Sequence, residues 1–431
     1  MSLVTLTLPA TPSRVARALL AAKEPGGWIA LVKPFTVLRQ RVRRTVAAAA
    51  RARPDIDLFF GQDGLWLGGP RIPKPAAGMI LLAALDIVGL PLLIRASALA
   101  ALGGVRPATG LAGGYDLALR AVANGLVVEH LSLHLAHIMP PRALSGPARL
   151  DVLNGWNADA GHPWRISAGL APATFQLRRA FAAPPRVTIL VRPGPGTEPT
   201  AQRLGPVLDA LARGPWPLDR LEVIADPRLD TGGADAGTQP VSWRRASVHV
   251  SAGEADHRNA LWRAAPSELV VFTEAGLTPE TPDWIDALVG LAADRNVGMV
   301  SGRVLDGQQD APEAAAALFG FDPATWPDRG FVHREFAVPT SPLIAARKSA
   351  LEAVNGFSPN LPSAYQAAQM ALRMRLLGQS IVTTPFAVAR RAPCAAPVPD
   401  PMAEAAFKAQ WGTVITDDRL HFPDAPLRAP R

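Results

Sequence analysis

The sequence has almost no cysteine and very little tyrosine. Its 431 residues include one cysteine, Cys394, and two tyrosines. A single thiol excludes an internal disulfide framework and a cysteine-based metal site within one chain. The stretch after Met1 has no basic segment followed by an apolar core, so no secretory signal is predicted. The expected location is therefore the cytoplasm.

Acidic residues are outnumbered by basic ones, 36 to 44, which gives a net charge of +8 and a sequence pI near 10.4. Such an excess favours anionic partners, among them nucleotide phosphates, a membrane surface and nucleic acid. The densest basic stretch, LRQRVRRTVAAAARAR at residues 38–53, lacks interleaved aromatics and is expected to be an exposed helix face. No nucleic-acid partner is predicted, whereas peripheral contact with the inner face of a membrane stays open.

The sequence also lacks an uninterrupted apolar run of membrane-spanning length. Residues 76–94 come nearest, but Asp86, Gly89 and Pro91 interrupt them. A carboxylate at mid-bilayer is costly, so the pattern instead predicts a helix up to about Leu85 followed by a buried strand at residues 90–94. No transmembrane span is therefore expected.

What is present is a regular alternation of helix and strand signals, which predicts an α/β fold. The apolar strand segments are GWIALV, DIDLFFG, RVTILVR, LEVIAD, ELVVFT and VGMVSG. They alternate with helical segments such as SRVARALLAAKE, AQRLGPVLDALARG, ADHRNALWRAA and PDWIDALVGLAADR.

Two parts of the chain end in the same pattern of strand, basic turn, Ala/Leu helix, glycine stop, loop, helix and strand. The pattern begins at LPLLIRASALAALGG in the first part and at SPLIAARKSALEAVNG in the second. This repetition indicates two copies of one module. The predicted divisions are a first module at 1–145, a connector at 146–183, a second module at 184–395 and a proline-rich tail at 396–431.

The ordered series of segments resembles the family 2 glycosyltransferases, in the tandem-domain form found in bacterial surface polysaccharide synthesis. The resemblance rests on GGWIALVKPFTVL, RARPDIDLFFGQDG, PKPAAGMILLAALDIVG and GGYDLALRAVANG in the first part. In the second part it rests on PPRVTILVRPGPG, LEVIADPRLD, DHRNALWRAAPSELVVF, TPDWIDALVGLA, VGMVSGRVLDG and ALRMRLLGQSIV.

The resemblance implies two GT-A-like (nucleotide-diphospho-sugar transferase, Rossmann-like) modules, the first truncated at its N-terminus. Enzymes of this family usually neutralise the nucleotide diphosphate with a divalent cation held by an aspartate-rich motif. They also use an Asp or Glu to take the proton from the acceptor hydroxyl. Carboxylates are therefore expected at two places in each module.

The second module departs from the family pattern at both places. Its metal motif falls on Glu274, Ala275 and Gly276, with glycine where the metal-binding aspartate would stand. The base positions fall on Gln366 and Ala367, neither of which accepts a proton at neutral pH.

Other family positions in the second module are partly kept. The further acidic position is Gln369, and the acidic pair that contacts the nucleobase falls on Ala225 and Asp226. The family's late histidine falls on Arg391, and the end of its first strand on Arg192 and Pro193.

The first module departs as far. Its metal motif falls on residues 33–36, Lys-Pro-Phe-Thr, and its base positions on Gly113 and Gly114, although Asp116 and His137 match the pattern. The module starts so late that the family's first strand and helix, which form much of the nucleotide pocket, have no counterpart before Met1, so no complete donor site is expected here.

Several interpretations stay open for individual residues. Glu274 either holds Mg²⁺ or Mn²⁺ weakly together with nucleotide phosphates or, as preferred, caps the following turn or faces solvent; otherwise no cofactor is expected. Nucleotide-binding candidates are Arg192, Asp226, Arg258, Asn259 and Glu274. A metal-free arginine clamp would draw on Arg192, Arg244, Arg245 and Arg258, which are otherwise surface residues or partners of Asp226 and Glu254.

Two further motifs have a structural and a chemical interpretation. His130, His134 and His137 have spacings that suit zinc, but they lie in a strand-like segment, which favours structural histidines. Asp116 is expected to cap the helix or to pair with Arg120 at i+4 rather than to act in catalysis.

Two functions follow from these departures. One is a catalytically eroded glycosyltransferase homologue that acts as a scaffold or binding subunit for a nucleotide sugar or glycan, together with other polysaccharide-assembly proteins. The other is an active, metal-independent transferase that uses the second module. The first is preferred, because a general base and a metal each contribute strongly to the rate and the residues for both are missing twice.

Overall fold

The computed structural model describes residues 2–22, 26–62, 78–138, 146–194, 204–229, 240–248, 253–307, 309–310, 314–319, 331–391 and 400–416. The chain divides into two compact units, unit 1 up to Leu177 and unit 2 from Arg178. None of the helices in the described part combines the length and the apolar run needed to cross a bilayer.

Unit 1 is an α/β unit. Its strands are β1 Leu3–Thr7, β2 Trp28–Val32, β3 Thr36–Leu38, β4 Leu58–Gln62, β5 Leu92–Arg95, β6 Val128–His134, β7 Ala136–Ile138 and β8 Trp164–Ala168, with β9 Phe175–Arg179 at the junction. Its helices are α1 Pro12–Ala21, α2 Val42–Ala52, α3 Met79–Ala84, α4 Ala96–Ala101, α5 Gly113–Ala123 and α6 Gly146–Asp159.

Unit 2 is a larger α/β unit. Its strands are β10 Val187–Arg192, β11 Leu221–Ala225, β12 Trp243–Arg245, β13 Leu269–Glu274, β14 Leu277–Pro279, β15 Val297–Asp306, β16 Gln309–Asp310, β17 Arg334–Glu335, β18 Ile344–Arg347 and β19 Ser380–Arg391. Its helices are α7 Gly205–Arg213, α8 Glu254–Arg263, α9 Trp284–Ala292, α10 Ala314–Leu318, α11 Lys348–Ala353, α12 Ser363–Leu376 and α13 Pro401–Thr416.

The predicted α/β fold class is confirmed, since a mostly parallel sheet forms the centre of each unit. The sheet of unit 1 has the order β1-β2-β5-β4-β6, and that of unit 2 contains the order β10-β13-β18-β15-β19. In both, only the third strand of the series, β5 or β18, is antiparallel to its neighbours. A short strand pairing also recurs, β3 with β7 in unit 1 and β14 with the end of β19 in unit 2.

The two sheets differ at one edge. Unit 2 continues beyond β10 with β11 and β12, whereas the sheet described for unit 1 ends at β1. The prediction that unit 1 has no counterpart of the first strand is therefore wrong, because β1 stands beside β2 as β10 stands beside β13. The apolar pattern of β1 is weak, since an edge strand buries few side chains and in β1 only Leu6 is buried.

The long apolar segments of the sequence form the strands and helices that were predicted for them. All five residues of β2 and all six of β13 are buried, as expected for central strands of a mostly parallel sheet covered on both faces. The apolar stretch before residue 95 is the helix α3 followed by the strand β5, which confirms the division predicted around Asp86 and Gly89.

Residues 146–183 contain more structure than a connector. Helix α6 packs against α5, and Arg149 Nε donates to Asp86 Oδ2 at 3.1 Å. The strands β8 and β9 pair with each other. The sequence pattern missed the helix because α6 has no clear apolar periodicity and buries only Val152, Leu153 and Trp156.

The segment after residue 396 includes a packed helix, as its short helical pattern indicated. Phe407 of α13 is fully buried and stacks on Tyr365 of α12 with 5.0 Å between ring centroids. Trp411 and Ala403 enter the same apolar cluster. The remainder of the tail lies outside the described residues.

One buried histidine makes unit 2 sensitive to mild acid. His333 has no exposed surface and stacks against Phe386, and burial, with a smaller contribution from Arg178, lowers its pKa to about 3. An unfolded histidine binds a proton below about pH 6.5, whereas the folded one stays neutral down to its lower pKa. The free energy of unfolding therefore loses nothing to the protonation of this histidine well above pH 6.5, and it decreases as the pH falls from about 6.5 towards 3.

We expect the free energy of unfolding to fall by about 1.5 kcal/mol between pH 6.5 and pH 5 because of His333 alone. The measurement is urea unfolding of the intact chain and of His333→Gln at both values. The variant should be less stable at pH 7 but should lose less stability on acidification. Equal pH slopes in the two proteins would contradict a neutral, buried His333.

Candidate functional site

The charged residues of unit 2 gather where three neighbouring parallel strands end. β10 ends at Arg192, β13 ends at Glu274, and Asp226 follows the last residue of β11. Arg192 lies directly opposite Glu274 in the strand register. Because open α/β sheets bind ligands beyond the carboxyl ends of their strands, this edge is the candidate site. We call Arg192, Asp226, Arg228, Glu254, Arg258, Glu274 and Arg391 the strand-end cluster.

Glu274 is the carboxylate at the centre of this cluster. Its side chain is 3% exposed, and Arg192 Nη2 donates a short hydrogen bond to its Oε1. Arg391 Nη2 lies 4.0 Å from the other carboxylate oxygen, Oε2. Both oxygens therefore face guanidinium groups, and with no second carboxylate on the turn this is a poor set of ligands for a divalent cation.

Asp226 is fully buried and holds the base of the cluster together. It accepts hydrogen bonds from Arg228 Nε at 3.0 Å, from Arg228 Nη2 at 2.7 Å and from the Arg228 backbone N–H at 2.9 Å. His257 Nε2 lies 2.8 Å from Oδ2. Burial opposes ionisation most strongly, but these hydrogen bonds outweigh it and leave the pKa of Asp226 below its usual value.

Glu254 links three arginines at the N-terminus of α8. Arg228 Nη1 donates to Glu254 Oε2 at 2.9 Å, and Oε1 lies 3.6 Å from Arg258 Nε and 4.0 Å from Arg192 Nη1. Burial acts against ionisation here too, yet the arginines keep the pKa of Glu254 below its usual value. The carboxylate also lies in the first turn of the helix, where negative charge is favourable.

Arg258 connects the cluster to the predicted base position. Its Nη1 donates to Gln366 Oε1 at 3.3 Å, and its guanidinium lies 4.8 Å from the ring centroid of Phe357. Gln366 in turn donates from Nε2 to the Leu361 carbonyl at 3.0 Å. The residue at the predicted base position is thus an amide with both ends hydrogen-bonded.

The other predicted residues of α12 face the core. Ala367 packs against the main apolar cluster of unit 2. Gln369 is 2% exposed and donates to Gln410 Oε1 of α13 at 3.0 Å. These two positions therefore join helices to each other and to the core.

Asn259 fixes the loop before α12. Its Nδ2 donates to the Phe357 carbonyl at 2.7 Å, and its Oδ1 accepts from the Phe357 backbone N–H and from Trp262 Nε1, both at 2.9 Å. These bonds position the Phe357 ring under Arg258. Asn259 therefore acts by holding Phe357, whose ring contacts Arg258.

The arginines of the predicted clamp separate into two groups. Arg192 and Arg258 belong to the cluster, whereas Arg244 pairs with Glu222 at 2.7 Å and Arg245 donates to the Pro227 carbonyl at 3.2 Å on the surface. Arg228 and His257 also belong to this site, although neither was predicted as a site residue. Their only signal was proximity in sequence, since Arg228 follows Asp226 by two residues and His257 precedes Arg258.

Gly276 and its counterpart in unit 1 have the same unusual backbone conformation. Gly276 immediately precedes β14 and has φ +90°, while Phe35 immediately precedes β3 and has φ +61°. Residues other than glycine rarely have a positive φ, so the turn itself favours glycine. The glycine at the family's metal position thus has a conformational reason in this chain.

In unit 1 the predicted positions have packing roles. A Cβ on Gly114 would lie 2.7 Å from Leu90 Cδ2, and one on Gly113 would lie 3.0 Å from Val105 Cγ1, so both glycines allow α5 to approach its neighbours closely. Asp116 accepts from Arg120 Nε at 3.0 Å, which confirms the predicted i+4 pair.

The histidine motif of unit 1 lies on strands, as predicted. His130 is in β6 and packs on Phe60 with 5.0 Å between ring centroids. The side chains of His134 and His137 lie outside the described part of the structure. Among the side chains that are described, no group of three or more His, Cys, Asp or Glu is placed to hold a metal ion.

The fold and the cluster define an α/β protein with a charged site at the carboxyl edge of a mixed sheet. The curated O-antigen biosynthesis protein RfbC of Myxococcus xanthus is 25% identical over 401 residues, which cover 83% of this chain. The chain spans about 30% of the length of that protein. This similarity agrees with the resemblance to bacterial polysaccharide glycosyltransferases. No known protein-family model matches the sequence.

Two solved structures align with part of this chain. The mannosyltransferase PcManGT from Pyrobaculum calidifontis, in complex with GDP-Man and Mn²⁺, aligns with a TM-score of 0.40 and 19% identity over 70% of this chain and 75% of its own. S. aureus TarS 1-349 aligns with a TM-score of 0.33 and 13% identity over 48% of this chain and 60% of its own.

Proposed function

We propose that unit 2 binds the diphosphate of a nucleotide sugar through arginines, without a metal ion, and that the chain does not transfer the sugar. Its role is that of a binding or scaffold subunit in bacterial surface polysaccharide assembly, at the cytoplasmic side of the membrane. The observation that carries the proposal is that Gln366, the predicted base position, is an amide hydrogen-bonded at both ends.

Charge supports the binding half of the proposal. The strand-end cluster brings four arginines and three carboxylates together, so it keeps an excess of positive charge beside the strand ends. Guanidinium groups bind phosphate oxygens bidentately and cannot lose their charge at neutral pH. A diphosphate is therefore the anion that the cluster fits best.

The missing base supports the non-catalytic half. An acceptor hydroxyl must lose its proton during transfer, and a positioned general base contributes about 10²–10⁴ to the rate. Gln366 and Ala367 supply no proton acceptor at that place. The assembly role is supported by the name of the Myxococcus relative, an O-antigen biosynthesis protein.

A second candidate is an active transferase that neutralises its leaving group with arginines instead of a metal. The proximity of Arg192, Arg228 and Arg258 to one another favours it, since each contacts Glu254. This candidate requires a base from outside the family's position.

Calorimetric titration separates these functions. UDP-, dTDP- and GDP-sugars would be titrated into the intact chain with EDTA and then with Mg²⁺ or Mn²⁺, while sugar release is followed. We expect micromolar binding of at least one nucleotide that EDTA does not weaken, with no turnover. Metal-dependent binding together with turnover would contradict the proposal, and metal-free binding with turnover would favour the second candidate.

Arg258 provides the matched test of the arginine site. We expect Arg258→Ala to weaken nucleotide binding about 10- to 100-fold, the loss typical of one charge-assisted contact. Arg244→Ala removes the same charge from an exposed pair with Glu222 and should leave the affinity unchanged. Equal affinities of the two variants would refute a role for Arg258 in binding.

A further inference from the structure

Unit 1 exposes two apolar side chains at the start of a strongly basic segment. Phe35 is 83% exposed and Val37 is 52% exposed. Phe35 also has φ +61°, a conformation that is unfavourable for a bulky side chain. An exposed, strained phenylalanine contributes nothing to the core, so its presence is not explained by packing.

The segment that follows this apolar tip contains many basic residues and no acidic ones. Between residues 26 and 54 the sequence has six arginines, one lysine and no aspartate or glutamate. Arg39, Arg41, Arg43, Arg44 and Arg51 are exposed. The helix α2 therefore has no acidic residue of its own to pair with its arginines at i±3 or i±4.

The arginines of α2 project from the face opposite its buried side. Val42 and Val46 are the buried residues of this helix and pack into the core of unit 1. Arg44 and Arg51, seven positions apart, lie on the outer face, and Arg41 extends this row by three positions towards the apolar tip. Like charges along one face repel each other unless an anionic surface neutralises them.

We infer that the segment Phe35–Arg51 attaches unit 1 to an anionic lipid bilayer. Phe35 and Val37 enter the interface between headgroups and acyl chains, and Arg41, Arg44 and Arg51 contact lipid phosphates. Stable attachment of a protein to a membrane surface needs two signals, and this segment supplies both an apolar insertion and a basic patch. Charge complementarity and the apolar tip together favour a lipid surface over nucleic acid, whose backbone offers no place for Val37.

The inference is independent of nucleotide binding in unit 2. Flotation or sedimentation would use the full chain with vesicles of phosphatidylcholine and phosphatidylglycerol, and with vesicles of phosphatidylcholine alone. We expect binding to the anionic vesicles only, weakening as salt increases. Equal binding to both compositions, or binding to neither, overturns the inference.

Matched variants assign the binding to this segment. The triple variant Arg41→Gln, Arg44→Gln, Arg51→Gln should lose about a hundredfold in affinity, since each cation near an anionic bilayer contributes about fivefold. The control Arg14→Gln, Arg17→Gln, Arg213→Gln removes the same charge from α1 and α7 and should bind as the unmodified chain. Equal losses in the two triple variants would mean that net charge alone is responsible, which refutes the assignment.

The variant Phe35→Gly distinguishes an effect on membrane attachment from an effect on folding. Glycine suits the positive φ, so this variant should melt no earlier than the unmodified chain, yet it should bind vesicles about tenfold more weakly. Leu170→Gly, at another side chain that is 53% exposed, is the control and should keep full vesicle affinity. Unchanged vesicle binding of Phe35→Gly, or tighter binding of the chain to an RNA or DNA oligonucleotide lost in the arginine variant, overturns the inference.

Discussion

Replacing Asp226 by alanine is expected to lower the free energy of unfolding of unit 2 by about 3–5 kcal/mol. The carboxylate is fully buried, and both Arg228 and His257 bond to it. Its removal leaves the buried imidazole without its acceptor and leaves the partly buried guanidinium of Arg228 with Glu254 alone, which costs more than the loss of the bonds themselves. Urea unfolding measures the change, and hydrogen exchange at α8 assigns it to unit 2.

Asp219→Ala is the matched control for this prediction. Asp219 is 78% exposed and lies 3.4 Å from Arg220, so its loss should change stability by no more than about 0.5 kcal/mol. Comparable losses for the two variants would contradict the view that Asp226 organises the cluster.

The pH dependence of Asp226 gives the same prediction a second readout. Its folded-state pKa is lowered, so its contribution is present above the pKa of an unfolded aspartate and is lost as the pH falls below that value. Asp226→Ala should therefore lose less stability below about pH 4 than the unmodified chain does. Identical acid slopes would mean that the carboxylate is not held ionised.

Replacing Glu274 by glutamine is expected to tighten the binding of a nucleoside diphosphate about 10- to 100-fold. The carboxylate neutralises Arg192 and lies near Arg391, and it repels an incoming diphosphate. One unit charge at about 6–10 Å in an effective dielectric of about 20 corresponds to about 1.5–3 kcal/mol. Glutamine keeps the size and one acceptor oxygen, so the arginines remain in place.

The direction of this effect distinguishes two roles of Glu274. If Glu274 held a divalent cation beside the phosphates, the same change would weaken binding in the presence of Mn²⁺. Calorimetry with and without Mn²⁺ therefore gives opposite results for the two roles. Glu280→Gln is the control, because Glu280 pairs with Arg390 on the surface at 2.5 Å and its loss should leave the affinity unchanged.

Apolar patterns predicted the main elements because central strands and core-facing helices bury long runs of side chains. This is why β2, β13 and α9 follow their sequence signals closely. The strand β1 and the helix α6 were missed, since an edge strand and a helix with three buried residues have weak periodicity. The ends of helices and strands, and elements with weak apolar periodicity, depend on packing against segments that are distant in sequence.

The candidate site was predictable only in part. Strand ends located Arg192, Asp226 and Glu274, because open α/β sheets place functional residues there. Their partners were not predictable, since Arg192 and Glu274 are 82 residues apart and Arg258 and Gln366 are 108 residues apart. A local sequence pattern does not predict which arginine pairs with which carboxylate.

By itself the sequence determined the α/β class, the recurring pattern of its two parts and the residue types at the predicted catalytic positions. These properties depend on composition and local periodicity, which each segment carries alone. Only the tertiary structure decided that Glu274 faces two arginines, that Gln366 is tied to Arg258, and that Gly276 stands in a turn with positive φ. The physical reason is that ion pairs and turn conformations are fixed by which strands and helices pack together.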